Sequence, residues 1–238
     1  MPELTIYAIT DSYMEGISYP NTNYGADTQV RVGTSYVVSK TSLHRAIGNF
    51  DVSPLAGKVL NSVKMVRHYT AVTNGGFLSK ISRCTKPALW TEGGVTWNKY
   101  DGSNNWSAAG GDFNDAGPPA AVTYTEPTTI GVKEIQDAGL LAFVQDALDN
   151  RGGLASLIIR ATNEAPGGTA KVAWYAKDSG TSWRWQLVVD YDEPGVAPRR
   201  ARPGRQGGVR ARTPRRAPAG RSPASARSPR SGRRAWEH

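Results

Sequence analysis

The 238-residue chain holds a single cysteine, Cys84. One thiol excludes a disulfide framework and a thiolate metal cluster. No apolar run approaches the roughly 18 residues that span a bilayer. The start, Met1-Pro2-Glu3-Leu4-Thr5-Ile6, lacks a charged stretch followed by an apolar core, so no secretory signal is expected. Histidine is scarce too, with His44 and His68 the only two before the C-terminal segment. No His-Glu-x-x-His zinc motif, Gly-x-Ser-x-Gly elbow, phosphate loop or Gly-x-Gly-x-x-Gly fingerprint is present. His44 and His68 fall in strand-like segments, and an imidazole without a positioned partner does little chemistry. They read first as half-exposed strand residues.

Lysine disappears altogether after residue 192, and this absence locates the charge. The formal net charge is +9. Residues 193–238 carry 13 Arg, no Lys and two acids, a net of +11; residues 1–192 carry 16 basic and 18 acidic side chains, a net of −2. The molecule therefore reads as a near-neutral body with a basic tail, and the net charge does not make the body a polyanion-binding fold. The tail is almost all Arg, Pro, Ala, Gly and Ser, which cannot bury enough surface to offset its ordering entropy, so disorder is expected. Such a segment can hold polyanions by counterion release. It is equally the product expected from GC-rich coding sequence read out of frame, and both readings stay open.

The body is rich in strand formers. Leu4–Ile9, Thr28–Val32, Val63–Tyr69, Phe77–Arg83, Leu154–Ile159, Lys171–Tyr175 and Trp185–Tyr191 combine Val, Ile, Tyr and Trp between Gly/Asn/Pro turns, which points to a sandwich or barrel. One helix is expected where Leu140, Val144, Ala147 and Leu148 share a face. Asp137 can cap its start and Asn150-Arg151-Gly152-Gly153 its end. A loop rich in Gly, Asn, Ser, Asp and Pro runs from Lys99 to Ala121, a length that is usually functional or mobile.

Asp11, Asp27, Asp51, Glu92, Asp101, Asp112 and Asp115 supply carboxylates. A glycosidase needs two of them facing each other across a substrate, which spacing alone does not establish. Their Asp/Asn/Gly settings favour turns. A structural calcium ion on hard oxygen donors is the alternative, although no regular calcium-loop spacing is present. No other cofactor is expected. The aromatics say more. Trp90, Trp97 and Trp106 fall close together with Tyr100, and Trp174, Tyr175, Trp183 and Trp185 form a second group. An indole face stacks on the C–H face of a sugar ring by the electrostatics that attract cations, while large aromatics equally fill cores. Strand alternation puts Trp183 and Trp185 on one face and turns either Trp174 or Tyr175 outward. Tyr100 and Trp106, in the long loop, are expected to be more open than Trp97. Tyr100, Trp106, Trp174 and Tyr175 are thus the candidate ligand-binding residues.

The order of several short motifs along the body resembles the DNRLRE domain family, which is similar to jelly-roll carbohydrate-binding modules. The resemblance rests on Asp11-Ser12-Tyr13-Met14, on Asn23-Tyr24-Gly25 within Pro20–Gly25, on Val30–Gly33, and on Arg45 to Phe50-Asp51. It rests further on Leu89-Trp90-Thr91-Glu92-Gly93-Gly94-Val95-Thr96-Trp97-Asn98, on Trp106 with Gly110–Phe113, and on the closing Trp185–Tyr191. The hexapeptide that names the family is absent as such, and Arg184-Trp185 stands where Arg-Pro is usual. The resemblance implies an all-β fold, a two-sheet antiparallel sandwich of the jelly-roll kind over residues 1–192. It implies structural roles for Asn23, Tyr24, Gly25, Phe50, Asp51, Trp90, Glu92, Trp97 and Asn98. It also implies a non-catalytic binding or adhesion module for polysaccharide or a cell-surface glycan, extracellular or virion-associated. A phage tail-fibre or decoration role, with other virion subunits as partners, is the alternative. A glycan-degrading enzyme is the least favoured reading.

Overall fold

A computed structural model describes residues 2–37, 40–86, 88–164, 168–180 and 182–195. The expected disordered tail lies outside the described residues from residue 196 onward. Eleven strands and one α-helix follow in chain order: β1 (Glu3–Gly16), β2 (Gln29–Val37), β3 (Lys40–Asp51), β4 (Val59–Thr73), β5 (Leu78–Cys84), β6 (Phe113–Asn114), β7 (Val122–Thr125), β8 (Gly131–Gln136), α1 (Ala138–Asn150), β9 (Leu154–Ala161), β10 (Ala170–Tyr175) and β11 (Gln186–Asp192). All pairings are antiparallel.

Two strands cross between the layers of the sandwich. β1 pairs with β11 over Glu3–Tyr7 and then with β3 over Ala8–Gly16, with an irregular step between Ala8 and Thr10. β2 pairs with β10 over its first half and with β3 over its second. Gly33 belongs to both ladders of β2. Its φ of 115° and a would-be Cβ only 2.1 Å from the Ala170 carbonyl oxygen admit glycine alone. One layer therefore holds β11, β4, β8 and β10 with the first halves of β1 and β2. The other holds β3, β9, β5, β6 and β7 with their second halves.

β4 shows why these segments are strands. Val63, Met65 and Tyr69 are buried while Lys64, Val66, His68 and Thr70 alternate with them as half-exposed residues, the period-two pattern of a one-sided strand. Arg67 breaks the chemistry but not the pattern. It is fully buried among the rings of Trp174 (4.5 Å), Tyr124 (4.8 Å) and Tyr69 (5.1 Å), with the Glu126 carboxylate 3.6 Å away. Glu126 in turn accepts hydrogen bonds from the Tyr69 and Tyr124 hydroxyls at 2.6 and 2.5 Å. A buried cation is tolerated only with such partners.

β9 is buried on both sides. Ala155, Leu157 and Ile159 face the main core with Phe50, Trp174 and Trp185. Ile158 faces a second cluster with Met14, Ile47, Cys84, Trp90, Val95 and Trp106. That cluster exists because residues 85–112 lie over the outer face of the β3 layer. Helix α1 buries Leu140, Phe143, Val144 and Ala147 against β4 and β9, and the Asp137 side chain accepts from the Gly139 N–H at its start. No described helix is long and apolar enough to cross a membrane.

Trp185 joins the layers. It lies just before β11, fully buried, edge-on to Phe50 of β3 at 5.1 Å, and its indole N–H donates to Asp11 Oδ2 at 2.6 Å. Gly48 of β3 leaves the space, since a Cβ there would stand 2.0 Å from the Trp185 ring. Gly48→Ala is accordingly expected to cost about 1–3 kcal/mol of stability through overpacking, measured by urea denaturation. An unchanged midpoint would show that Trp185 has room to move.

Candidate functional site

The motif residues meet in one place. Asn23 Nδ2 donates to the carbonyls of Glu92 and Val95, both at 2.7 Å, while its Oδ1 accepts from the Gly25 N–H. Gly25 runs so close to Glu92 that a Cβ would come within 2.2 Å of the Glu92 carbonyl oxygen. Tyr24 stacks on Tyr13 at 4.2 Å and donates to Glu15. Glu92 Oε1 accepts from the Asp11 N–H at 2.8 Å, and Lys177 Nζ lies 3.3 Å from Glu92. Trp90 Nε1 donates to Asn49 and Ser156, Asn98 donates to Asn21, and Arg45 covers the Trp97 ring at 4.7 Å. Phe50 packs on Trp185, and Asp51, beside it, accepts from the Ser53 N–H. The contacts of Asp11, Asn21, Asn23, Arg45, Asn49 and Ser156 with Glu92, Val95, Asn98, Trp97 and Trp90 hold the long segment against the sheet.

The expected exposure of the long-loop tryptophan is corrected. Trp106 is 5 % exposed, inside the second cluster, with its N–H on the Thr96 carbonyl at 3.0 Å, whereas Trp97 is half-buried. Tyr100 leans on Trp106 at 5.6 Å beneath Lys86 at 5.0 Å and is half-buried. Trp174 is 0 % exposed and packs between Trp185 and Tyr69, so it presents no stacking face. Trp183 and Trp185 do not share a face. The chain turns at residues 182–184 before β11 begins, strand alternation does not extend there, and Trp183 points outward, 55 % exposed.

The loop carboxylates serve turns. Asp101 accepts from Ser103 N, Asn104 N and Asn104 Nδ2, and these bonds, the Asn104 amide first, hold it below the usual carboxylate range. Asp112 accepts from Ser107 N and Ala108 N. Among the described residues no group of three or more His, Cys, Asp or Glu side chains could hold a metal ion.

A different surface brings aromatics together in the open. On the outer side of the β4 layer, Trp183 stacks on His68 with centroids 4.4 Å apart and planes 29° from parallel. Tyr175, at the end of β10, meets His68 edge-on at 5.5 Å and Trp183 at 6.0 Å. Tyr175 is the outward member of the Trp174-Tyr175 pair, as alternation requires. His68 reaches this surface because it occupies an outward position of β4. The sequence signal for His68 was that alternation; for Trp183 it was only its place in an aromatic group.

The structure so far defines a β-sandwich with one outer face sealed by a long segment and the other bearing an exposed aromatic cluster. Residues 2–109 match the model of Carbohydrate-binding module family 96. The match covers less than half of the chain, runs from β1 through the sealing segment, and includes His68 but not Tyr175 or Trp183. It supports a carbohydrate-binding module. No curated protein matches the chain.

The segment carrying Trp183 is anchored at Asp11. Asp11 Oδ2 accepts from the Lys177 N–H at 2.8 Å as well as from Trp185. Burial pushes the Asp11 carboxyl up to about 7, against those two hydrogen bonds and with help from the charges of Glu92 and Asp178. Its folded value exceeds its ordinary 3.8, so its contribution to stability is fully present below about pH 4 and is lost as pH rises to about 7. His44 has the opposite sign. Burial first, then the charges of Lys171 and Arg31, push it from 6.5 down to about 3. Its contribution is present above about pH 6.5 and is lost as pH falls toward 3. Asp11→Asn should remove the alkaline-going loss between about pH 4 and 7, and His44→Gln should reduce the acid-going loss below about pH 6.5. Urea midpoints against pH, taken as variant minus wild type, read both, and difference curves that are flat in these windows would refute the assignments.

Proposed function

We propose that the chain is a non-catalytic polysaccharide-binding module whose sugar platform is Trp183 with His68 and Tyr175. The observation that carries this reading is the stacked Trp183–His68 pair on an outer sheet face, with 55 % of Trp183 exposed. A tryptophan that folding alone governed would be driven inward, as Trp174 and Trp185 of its sequence group are. Held against His68 on one side, the indole offers its other side as a fixed, flat, electron-rich surface. The axial C–H groups of a pyranose fit such a surface, and little side-chain freedom remains to be lost on binding. The family match supports carbohydrate as the ligand class.

The test is affinity electrophoresis and calorimetry of the full chain against a polysaccharide panel in high salt, which suppresses contacts made by the Arg-rich tail. Trp183→Ala is expected to weaken binding by about tenfold or more, roughly 1.4 kcal/mol, and Tyr175→Ala by less. Trp106→Phe, in the second core, should lower stability and leave affinity alone. Wild-type affinity in both Trp183→Ala and Tyr175→Ala would move the platform elsewhere.

A further inference from the structure

We propose that this face grips the interior of an extended glycan, the chain passing from the Trp183 platform over Val132 into a trough beside β8. The inference rests on the platform reading and adds the class of ligand: a stretch of polymer, not a terminal sugar.

Three observations support it. First, the apolar surface continues past the platform. Val132 of β8 is the cross-strand partner of His68, one strand spacing of about 4.8 Å away. It is 64 % exposed, and Ile130 just before it is 68 % exposed. Single exposed aliphatics need no explanation, but Val132 stands beside the His68 on which Trp183 stacks, and apolar patches mark binding surfaces.

Second, the patch leads into a trough of 440 Å³ bounded by residues 125–133 together with Gly76. That volume falls within the range of small-molecule sites. Thr125, Thr128, Thr129 and Lys133 are polar residues of its lining, and Pro127, Ile130 and Val132 are apolar ones. Hydroxyls alternating with aliphatic edges are the complement of a sugar, which presents hydroxyls around its rim and C–H groups on its faces. The trough's carboxylate is already committed: Glu126 is buried, accepts from both Tyr69 and Tyr124, and faces Arg67. It is therefore not placed to act on a glycosidic bond.

Third, β8 is an edge strand among the described residues, paired with β4 alone. Its outer row of backbone N–H and C=O groups is available to a neighbour, and sugar hydroxyls can use both kinds. A chain laid across this edge meets an aromatic ring, an aliphatic step and a polar trough in succession.

The experiment uses the full chain in high salt with cello-, manno-, xylo- and galacturono-oligosaccharides, from the disaccharide to the hexasaccharide, measured by calorimetry. The expected result is an affinity that rises at least tenfold from disaccharide to hexasaccharide in whichever series binds. Ile130→Asp and Val132→Asp, both at exposed positions, should flatten that rise. Val59→Asp, an exposed residue at the far end of β4, should leave it intact. Length-independent affinity that Trp183→Ala still abolishes would overturn the inference and spare the platform. A length dependence that survives Trp183→Ala unchanged would refute the platform. If no series binds, both fall. Light scattering is run in parallel: a wild-type dimer that Val132→Asp converts to a monomer would reassign the patch to contact between copies and overturn the inference.

Discussion

The sandwich is organised around a row of buried rings held by two buried carboxyl groups. Phe50, Trp185, Trp174 and Tyr69 follow one another at 5.1, 5.7 and 5.8 Å across the space between the two layers. Next to Phe50, Asp11 takes the Trp185 indole N–H; at the far end Glu126 takes the Tyr69 hydroxyl, with Arg67 lying over Trp174. Tilted and edge-on arrangements suit the charge distribution of the rings, but rings alone leave their polar edges unsatisfied. The two carboxyl groups satisfy the Trp185 indole N–H and the Tyr69 hydroxyl and so orient those two rings. β1 changes partner at Ala8–Thr10, beside Asp11, so the same carboxylate stands where one layer passes into the other.

The two outer faces then differ for a local reason. The β3 layer carries Ile47 and Ile158 outward, which needs a cover, and residues 85–112 bring Trp90, Val95 and Trp106 to provide it. The β4 layer carries Lys64, His68 and Thr70 outward, half-exposed side chains that tolerate water. Among the described residues no second buried apolar cluster forms there. An aromatic ring on the sealed side is consequently structural, while one on the open side is available to a ligand. Tryptophans in both places have the same residue-level preference; the neighbours on the sheet beneath decide their use.

This explains how far the chain was legible before its structure. The long strands other than β3, and helix α1, could be read because runs of strand formers and period-3.6 burial leave marks in the sequence, and Asp137 and Gly152-Gly153 mark the ends of the helix; β3, buried on both faces, entered only through the family motif at Arg45 to Phe50-Asp51. The short strands β6, β7 and β8 were not read. Phe113–Asn114 is too short to carry a period, and the outward side of β8 is itself apolar at Val132, which hides its alternation. The exposure of Trp106 was misjudged because a polar, glycine-rich loop looked solvated. Its glycines in fact let it lie close to the sheet, where Gly111 approaches Met14 and Ile158. Trp183 was misplaced because alternation was carried across a turn. His68 was assigned to a half-exposed strand position, but its partners come from β10 and the turn before β11, more than a hundred residues away, and no local pattern reports them.

Scaffold and proposed recognition surface are thereby drawn largely from different stretches of chain, with His68 of β4 common to both. The family match ends at residue 109, and within it lie the Asn23–Glu92 knot, most of the sealing segment and the strands β1 and β3 that it covers, but not β9. Trp183, Tyr175 and the β8 trough come later, on turns and strand ends that the core holds but does not need for its own burial. Residues placed in that way can vary without unfolding the sandwich. What binds to a shared scaffold is decided at such positions and not by the fold. Asp11 connects the two roles. It receives the Lys177 N–H and the Trp185 indole, the two ends of the turn that presents Trp183, so the buried interaction that aligns the core also sets where the exposed ring stands.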